Sequence, residues 1–208
     1  MPKLVYFPSL RGRAEVIRLA AAEAGLKFEE ETFTDFPALK ASGRLPFQAV
    51  PMWEEDDGLK LVQSNAILQH IGRAHGLYGS SPREAALVDQ ALWTAEDIRN
   101  EYRKIQTAEP AKRADVRAEL ISKHLPRFFS GLERLLAAAG TPYFAGQNVS
   151  VGDLALWYAL ELGRDNGFGA LLADLPKLNA WYDRVAARPK IAEYVKSPAR
   201  HPVFKLPA

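Results

Sequence analysis

Four short segments of this 208-residue chain hold residue types whose order and surroundings allow chemistry. Tyr6 ends an apolar run, Lys3-Leu4-Val5-Tyr6-Phe7, and the chain passes through Pro8-Ser9-Leu10-Arg11-Gly12 into a helical segment. On its own such a tyrosine is a good β residue and nothing more. Val50-Pro51 precedes a hairpin, and a proline at a strand start can be cis, which would turn the Val50 backbone toward a ligand. Gln63-Ser64-Asn65 opens a helix, where backbone N–H groups and the helix dipole favour a carboxylate. Glu96-Asp97 lies on a long helical stretch and by itself reads as a solvated charge pair.

The composition narrows what these segments can do. No cysteine is present, so no disulfide, dithiol pair or thiolate metal site can form. Any thiol chemistry must use a sulfur that a ligand supplies. The four histidines, His70, His75, His124 and His201, do not make a metal site: His70 and His75, five apart, point about 140° away from each other on a helix. No metal is expected. The 27 basic and 25 acidic side chains leave a net charge of +2, which gives no bulk electrostatic case for nucleic acid or an anionic membrane. Apolar stretches are too short to span a bilayer, and the first residues lack the apolar segment of a secretory signal. A cytoplasmic location is the expectation.

These candidate residues need elements to position them. The spacing predicts a strand over 3–7, a helix over 13–24 stopped by Gly25, and a second strand over 28–33. Residues 34–49, mixing Pro, Gly and Ser, read as irregular with one helical turn near 38–42. The Asp57-Gly58 pair between 51–54 and 59–62 signals a hairpin. Ser64 then caps a helix to about His75, with Gly76 as its stop. Beyond Pro82 strand signals cease, and helices are expected over 83–107, 110–139, 151–163 and 176–187. Ser150-Val151-Gly152-Asp153 has the capping-box pattern, with Val149 and Leu154 where a hydrophobic staple belongs. A mixed α/β half and a helical half predict two packed domains: 1–78, a linker over 79–82, and 83–208.

Read together, these segments resemble the cytosolic glutathione transferases, most closely the tyrosine-using pi class with sigma-like features. The resemblance runs over essentially the whole chain. In the first domain it rests on Tyr6-Phe7-Pro8, Arg11-Gly12-Arg13, Val50-Pro51 and Gln63-Ser64-Asn65. At the linker it rests on Gly76-Leu77-Tyr78-Gly79, and further on upon Glu96-Asp97-Ile98-Arg99, Ser150-Val151-Gly152-Asp153 and Ala187-Arg188-Pro189-Lys190. It implies an α+β thioredoxin-like N-terminal domain followed by an all-α helical-bundle domain. The implied activity is transfer of the glutathione thiolate to small electrophiles in detoxification, with glutathione as co-substrate. Tyr6 would donate a hydrogen bond to the glutathione sulfur. Arg13, Lys40, Val50, Pro51, Gln63 and Ser64 would bind glutathione, and Asp97 would reach its amine from the neighbouring subunit. Phe7, Leu10, Arg103, Thr107 and Phe204 would line the acceptor pocket. Phe47 would enter the partner's helical domain in a two-fold homodimer.

The chain departs from the pattern in two places. Its loop after Tyr6 is one residue longer, with Ser9 and Leu10 both before Arg11, so Ser9 stands as an alternative hydroxyl donor. In Gly43-Arg44-Leu45-Pro46-Phe47-Gln48-Ala49 the glutamine falls one residue early, and the aromatic residue expected before Lys40 matches Phe33 only across a gap. Two further functions stay open: glutathione-dependent peroxide reduction or isomerisation, and non-catalytic ligand binding on the same fold.

Overall fold

The structure is a computed structural model that describes residues 1–207. The chain divides into two compact units, Met1–Gly76 with Pro189–Pro202, and Leu77–Arg188 with Val203 onward.

The first unit is built on a four-stranded sheet in the order β2-β1-β3-β4. β1 (Lys3–Val5) leads through a 3-10 turn into α1 (Glu15–Ala24), then β2 (Glu29–Glu31) and α2 (Phe36–Ala41). β3 (Met52–Glu54), β4 (Lys60–Val62) and α3 (Ser64–Ala74) complete it. β2 runs parallel to β1 and β3 antiparallel, with β4 antiparallel to β3. This is the βαβ then ββα thioredoxin-like order. Residue alternation gives each sheet face its own core. Val5 and Met52 pack with Leu45, Phe36, Leu39 and Val62, while Leu4 and Trp53, also buried, belong to the opposite face.

Two local expectations are corrected here. Residues 34–49 hold a capped helix, because the Asp35 side chain accepts the Ala38 N–H at 2.9 Å. Ser64 does not cap α3: Gln63 is the N-cap, without a side-chain cap bond, and the Ser64 hydroxyl donates to the Arg13 carbonyl at 3.3 Å. A tertiary partner has taken the oxygen that the local rule assigned to the helix end. The expected single helical domain over 83–208 also differs, because α9 (Pro189–Lys196) and the residues to Pro202 belong to the first unit.

The second unit is helical. α4 (Pro82–Thr107) starts with the Ser81 side chain accepting the Glu84 N–H. The expected helix over 110–139 forms as one uninterrupted helical run, in which α5 (Arg113–Glu119) passes through a π-helical turn, Leu120–His124, into α6 (Leu125–Ala139). Pro126 lies in the first turn of α6 and has no N–H to continue the i to i−4 ladder. α7 (Val151–Asp165) is the centre of this unit, with every residue from Val151 to Leu160 buried. It packs on α4 at Gly152, where a Cβ would stand 2.8 Å from the Ala91 methyl and 2.9 Å from the Val88 carbonyl. α8 (Pro176–Ala186) sends the Trp181 indole N–H to Asp153. The capping box at Ser150 and Asp153 forms as its pattern predicts.

Candidate active site

Sheet register collects the first-unit candidates. Val5 pairs with Met52, and Met52 with Val62. One residue further along each strand, Tyr6, Pro51 and Gln63 therefore arrive at the same sheet end. The Val50-Pro51 bond is cis. Gln63 takes a φ of 73° as the residue entering α3, and Val50 is partly exposed while Gln63 is exposed.

Tyr6 is buried, with a relative exposure of 6%. Its Oη accepts the backbone N–H of Arg13 at 2.8 Å. That contact needs Gly12: a Cβ at this position would stand 2.3 Å from Tyr6 Oη, and its φ is +44°. Ser9, the alternative donor, is exposed in the same loop with a φ of 53°. Ser64, through its bond to the Arg13 carbonyl, ties the start of α3 to the same residue. Tyr6, Arg13 and Ser64 thus form one hydrogen-bonded chain. One lone pair of the tyrosine oxygen is taken by an amide donor, so its own hydrogen is directed elsewhere.

Lys40 lies on α2 with its Nζ 5.0 Å from the centre of the Phe36 ring. Phe36 lies four positions before Lys40, and its ring stacks on the candidate Phe33 at 5.2 Å. Phe36 and Lys40, four apart, share a face of α2. Phe7 makes edge contacts with Tyr6, Phe33 and Phe36 at 5.4, 5.1 and 5.0 Å. Its ring therefore joins the tyrosine to the Lys40 side of the unit. The loop that leads to Val50 is held by Arg44, which donates to Glu31 at 2.9 Å and to Glu54 at 2.7 Å. Those bonds hold both carboxyls below the usual carboxylate range and push the guanidinium up. The clamp is complete at neutral pH and weakens only as acid protonates the two glutamates.

The remaining candidates belong to other elements of the chain. Leu10 is partly exposed in the first-unit loop. Asp97, Arg103 and Thr107 are exposed on α4 in the second unit. Thr107 donates its hydroxyl to the Arg103 carbonyl at 3.1 Å. The Phe204 carbonyl accepts from the Asn166 amide at 3.1 Å, which ties that residue to the end of α7. Phe47 is 70% exposed on the first unit. On the second unit, Leu87, Ala91, Leu132, Leu135 and Phe144 line an apolar groove of about 210 Å³. Among the described residues no cluster of His, Asp and Glu has the makings of a metal site, and no helix is long and apolar enough to cross a membrane.

Comparison with known proteins bears on both units. Residues 3–73 match the glutathione S-transferase N-terminal domain, and residues 96–198 match the glutathione S-transferase C-terminal domain. Glutathione S-transferase A2 of Bos taurus is 35% identical over 202 residues, covering 94% of this chain and 87% of that protein. Glutathione S-transferase P 1 of Xenopus laevis is 34% identical, covering 95% of this chain and 93% of that one. The solved Pi-class glutathione S-transferase of Onchocerca volvulus superposes with a TM-score of 0.83 at 29% identity, over 94% and 92% of the two chains. Prostaglandin synthase D of Nilaparvata lugens gives 0.83 at 25%, over 96% and 99%. The two domain matches in this order, with named transferases as relatives over nearly the whole chain, mark a glutathione transferase. The chain belongs to the glutathione S-transferase family, whose members use glutathione as co-substrate.

Proposed function

We propose that this transferase activates the glutathione thiol as a thiolate through Tyr6 and joins it to electrophilic small molecules, as in detoxification. The observation that carries the reading is the bond from the Arg13 N–H to Tyr6 Oη. With that lone pair engaged, the phenolic O–H is free to donate to a sulfur bound at the sheet end. A charge-assisted bond of this kind favours S⁻ over S–H. The thiolate then attacks the electrophilic carbon, the S–C bond forms, and the leaving group departs with its electron pair. Arg13, Lys40, Val50, Pro51, Gln63 and Ser64 hold the peptide, the cationic side chains and the α3 N-terminus meeting its carboxylates. Asp97 of a neighbouring subunit meets its amine. Phe7, Leu10, Arg103, Thr107 and Phe204 face the acceptor, and the exposed Arg103 suits one with a polar or anionic group. The protein works in the cytoplasm.

The test is ultraviolet thiolate absorbance of glutathione bound to the purified protein across a pH series. A thiol pKa below that of free glutathione, together with conjugation of an aromatic halide, is the expected result. Glutathione bound with an unshifted thiol leaves the non-catalytic reading standing. Glutathione-dependent isomerisation at the same thiolate draws its support from the likeness to the Nilaparvata lugens prostaglandin synthase, and an assay for prostaglandin synthesis separates it from conjugation.

The active protein is a two-fold homodimer on this reading. Phe47 is a large ring left in solvent, and the apolar second-unit groove is large enough to admit one such ring. Phe47 of one copy enters the groove of the other. Phe47→Ser is expected to weaken the dimer about 30-fold or more, the weight of one buried hot-spot ring, as read by sedimentation velocity. A dimer of unchanged affinity would place the contact elsewhere.

A further inference from the structure

Three charged side chains of the first unit are almost fully withdrawn from water: Glu15, Arg18 and Arg200 are 0%, 3% and 4% exposed. Charges so buried persist only where partners fix them. Glu15 Oε1 accepts from Arg200 Nε at 2.6 Å. Glu15 Oε2 accepts from the Tyr194 hydroxyl at 3.0 Å and from Arg18 Nη1 at 3.5 Å. Arg18 also donates to Glu30 through Nε and, at 3.3 Å, through Nη2. His201 Nε2 stands 2.9 Å from the same Glu30 carboxylate. Burial and the nearby Glu15 push the Tyr194 hydroxyl up, so it serves as a neutral donor.

This cluster has a second set of contacts that the fold alone does not call for. Arg18 Nη1 reaches the carbonyls of Leu10 and Arg11 at 3.2 and 3.3 Å. Its guanidinium carbon lies 5.9 Å from the Tyr6 ring centre. Arg11 Nε donates to the His201 carbonyl at 2.6 Å. The C-terminal segment is thereby bonded to the loop between Tyr6 and Arg13 by three routes. One runs directly from His201, a second from Arg200 through Glu15 and Arg18, and a third from His201 through Glu30 and Arg18. That loop carries Gly12 and the Arg13 N–H, the two groups whose placement sets Tyr6 Oη.

We propose that Arg18 and Arg200 are positioning residues, and that the segment from Tyr194 to His201 is a clamp holding the Leu10 and Arg11 carbonyls so that the Arg13 N–H stays on Tyr6 Oη. The inference rests on Tyr6 being the sulfur donor. A small error in hydroxyl position is costly, since activation works through one aligned bond. Hydrogen bonds from a guanidinium to carbonyl oxygens are directional, which apolar packing of the same loop is not.

Arg200→Met in the full-length protein tests the clamp, because Glu15 keeps Arg18 and Tyr194 and the methionine keeps the stem. Amide exchange of the unliganded protein over residues 8–13 is expected to quicken about ten-fold, with β3 unchanged, as for a locally loosened segment. The thiol pKa of bound glutathione should rise toward the free value. In step with it, kcat should fall about ten-fold while KM for glutathione changes little, the pattern of lost alignment rather than lost binding. Arg200→Lys should recover part of both. Tyr194→Phe, which removes one hydroxyl, should move the same readouts less and serves if Arg200→Met does not fold. Loop exchange identical to wild type in a folded variant would overturn the clamp. If wild-type protein itself leaves the thiol unshifted, the Tyr6 reading fails, and loop exchange still decides the clamp.

Discussion

Tyr6→Phe is expected to lower kcat/KM for conjugation by about 10²-fold, roughly 2.7 kcal/mol of transition-state stabilisation, with the bound thiol pKa returning to that of free glutathione. Ser9→Ala should stay within about two-fold of wild type, since a group outside the reacting bond leaves the transition state untouched. The two hydroxyls differ in how they are held. Tyr6 is buried, its ring is fixed at the edge of Phe7, and its oxygen is anchored by the Arg13 N–H. Ser9 is exposed in the loop. A donor that must stay aligned with sulfur gains from being fixed beforehand, and only Tyr6 is fixed. Phenylalanine preserves the ring contacts, so the thermal transition should fall only by about the worth of one hydrogen bond, near 1 kcal/mol. Steady-state kinetics, thiolate absorbance and thermal melts on one preparation of each variant make the check. Loss of the shift in Ser9→Ala alone would move the catalytic hydroxyl to Ser9 and remove the tyrosine reading.

What was legible in the sequence was what short-range rules can carry. The Asp57-Gly58 hairpin, the Gly25 stop of α1 and the capping box at Ser150 each need only a few neighbouring residues, and each formed. The features that were not legible depend on partners distant in the chain. Ser64 reads as a helix cap until the Arg13 carbonyl, 51 positions away, takes its hydroxyl. Periodicity extends the helix through Pro126, and the helix does run through it, but the π-helical turn just before the proline leaves no mark in that periodicity. Glu15, Arg18 and Arg200 look like surface charge in any local window, yet they are the buried tie that brings Pro189–Pro202 into the first unit. The same holds for the candidate site. Residue types at Tyr6, Val50-Pro51 and Gln63 were readable, but their convergence comes from strand register. Gly12 gained its role only once the tyrosine oxygen was seen to occupy the space of its missing side chain.

The largest loss of stability is expected from Asp153→Ala, about 3–5 kcal/mol, well above the roughly 1 kcal/mol of an ordinary helix cap. Asp153 does more than finish a capping box. Its Oδ2 accepts the Ser150 N–H at 2.9 Å, and its Oδ1 accepts the Phe144 N–H at 3.1 Å and the Trp181 indole N–H at 2.9 Å. Burial pushes this carboxyl up, and the surrounding donors offset only part of that push. One side chain therefore joins the start of α7, the segment before it and α8, at the centre of the second unit. Alanine would leave several buried donors without an acceptor, and each such orphan costs about 1–3 kcal/mol, though not additively. Urea unfolding of wild type, Asp153→Ala and Ser150→Ala gives the measurement. Ser150→Ala removes the Oγ that caps Asp153 but leaves the other donors served, so it should cost only about 1 kcal/mol. Asp153→Asn keeps one carbonyl oxygen and should fall between the two. If Asp153→Ala cost no more than Ser150→Ala, the carboxylate would be a simple helix cap and the links to Phe144 and Trp181 would contribute nothing to the fold.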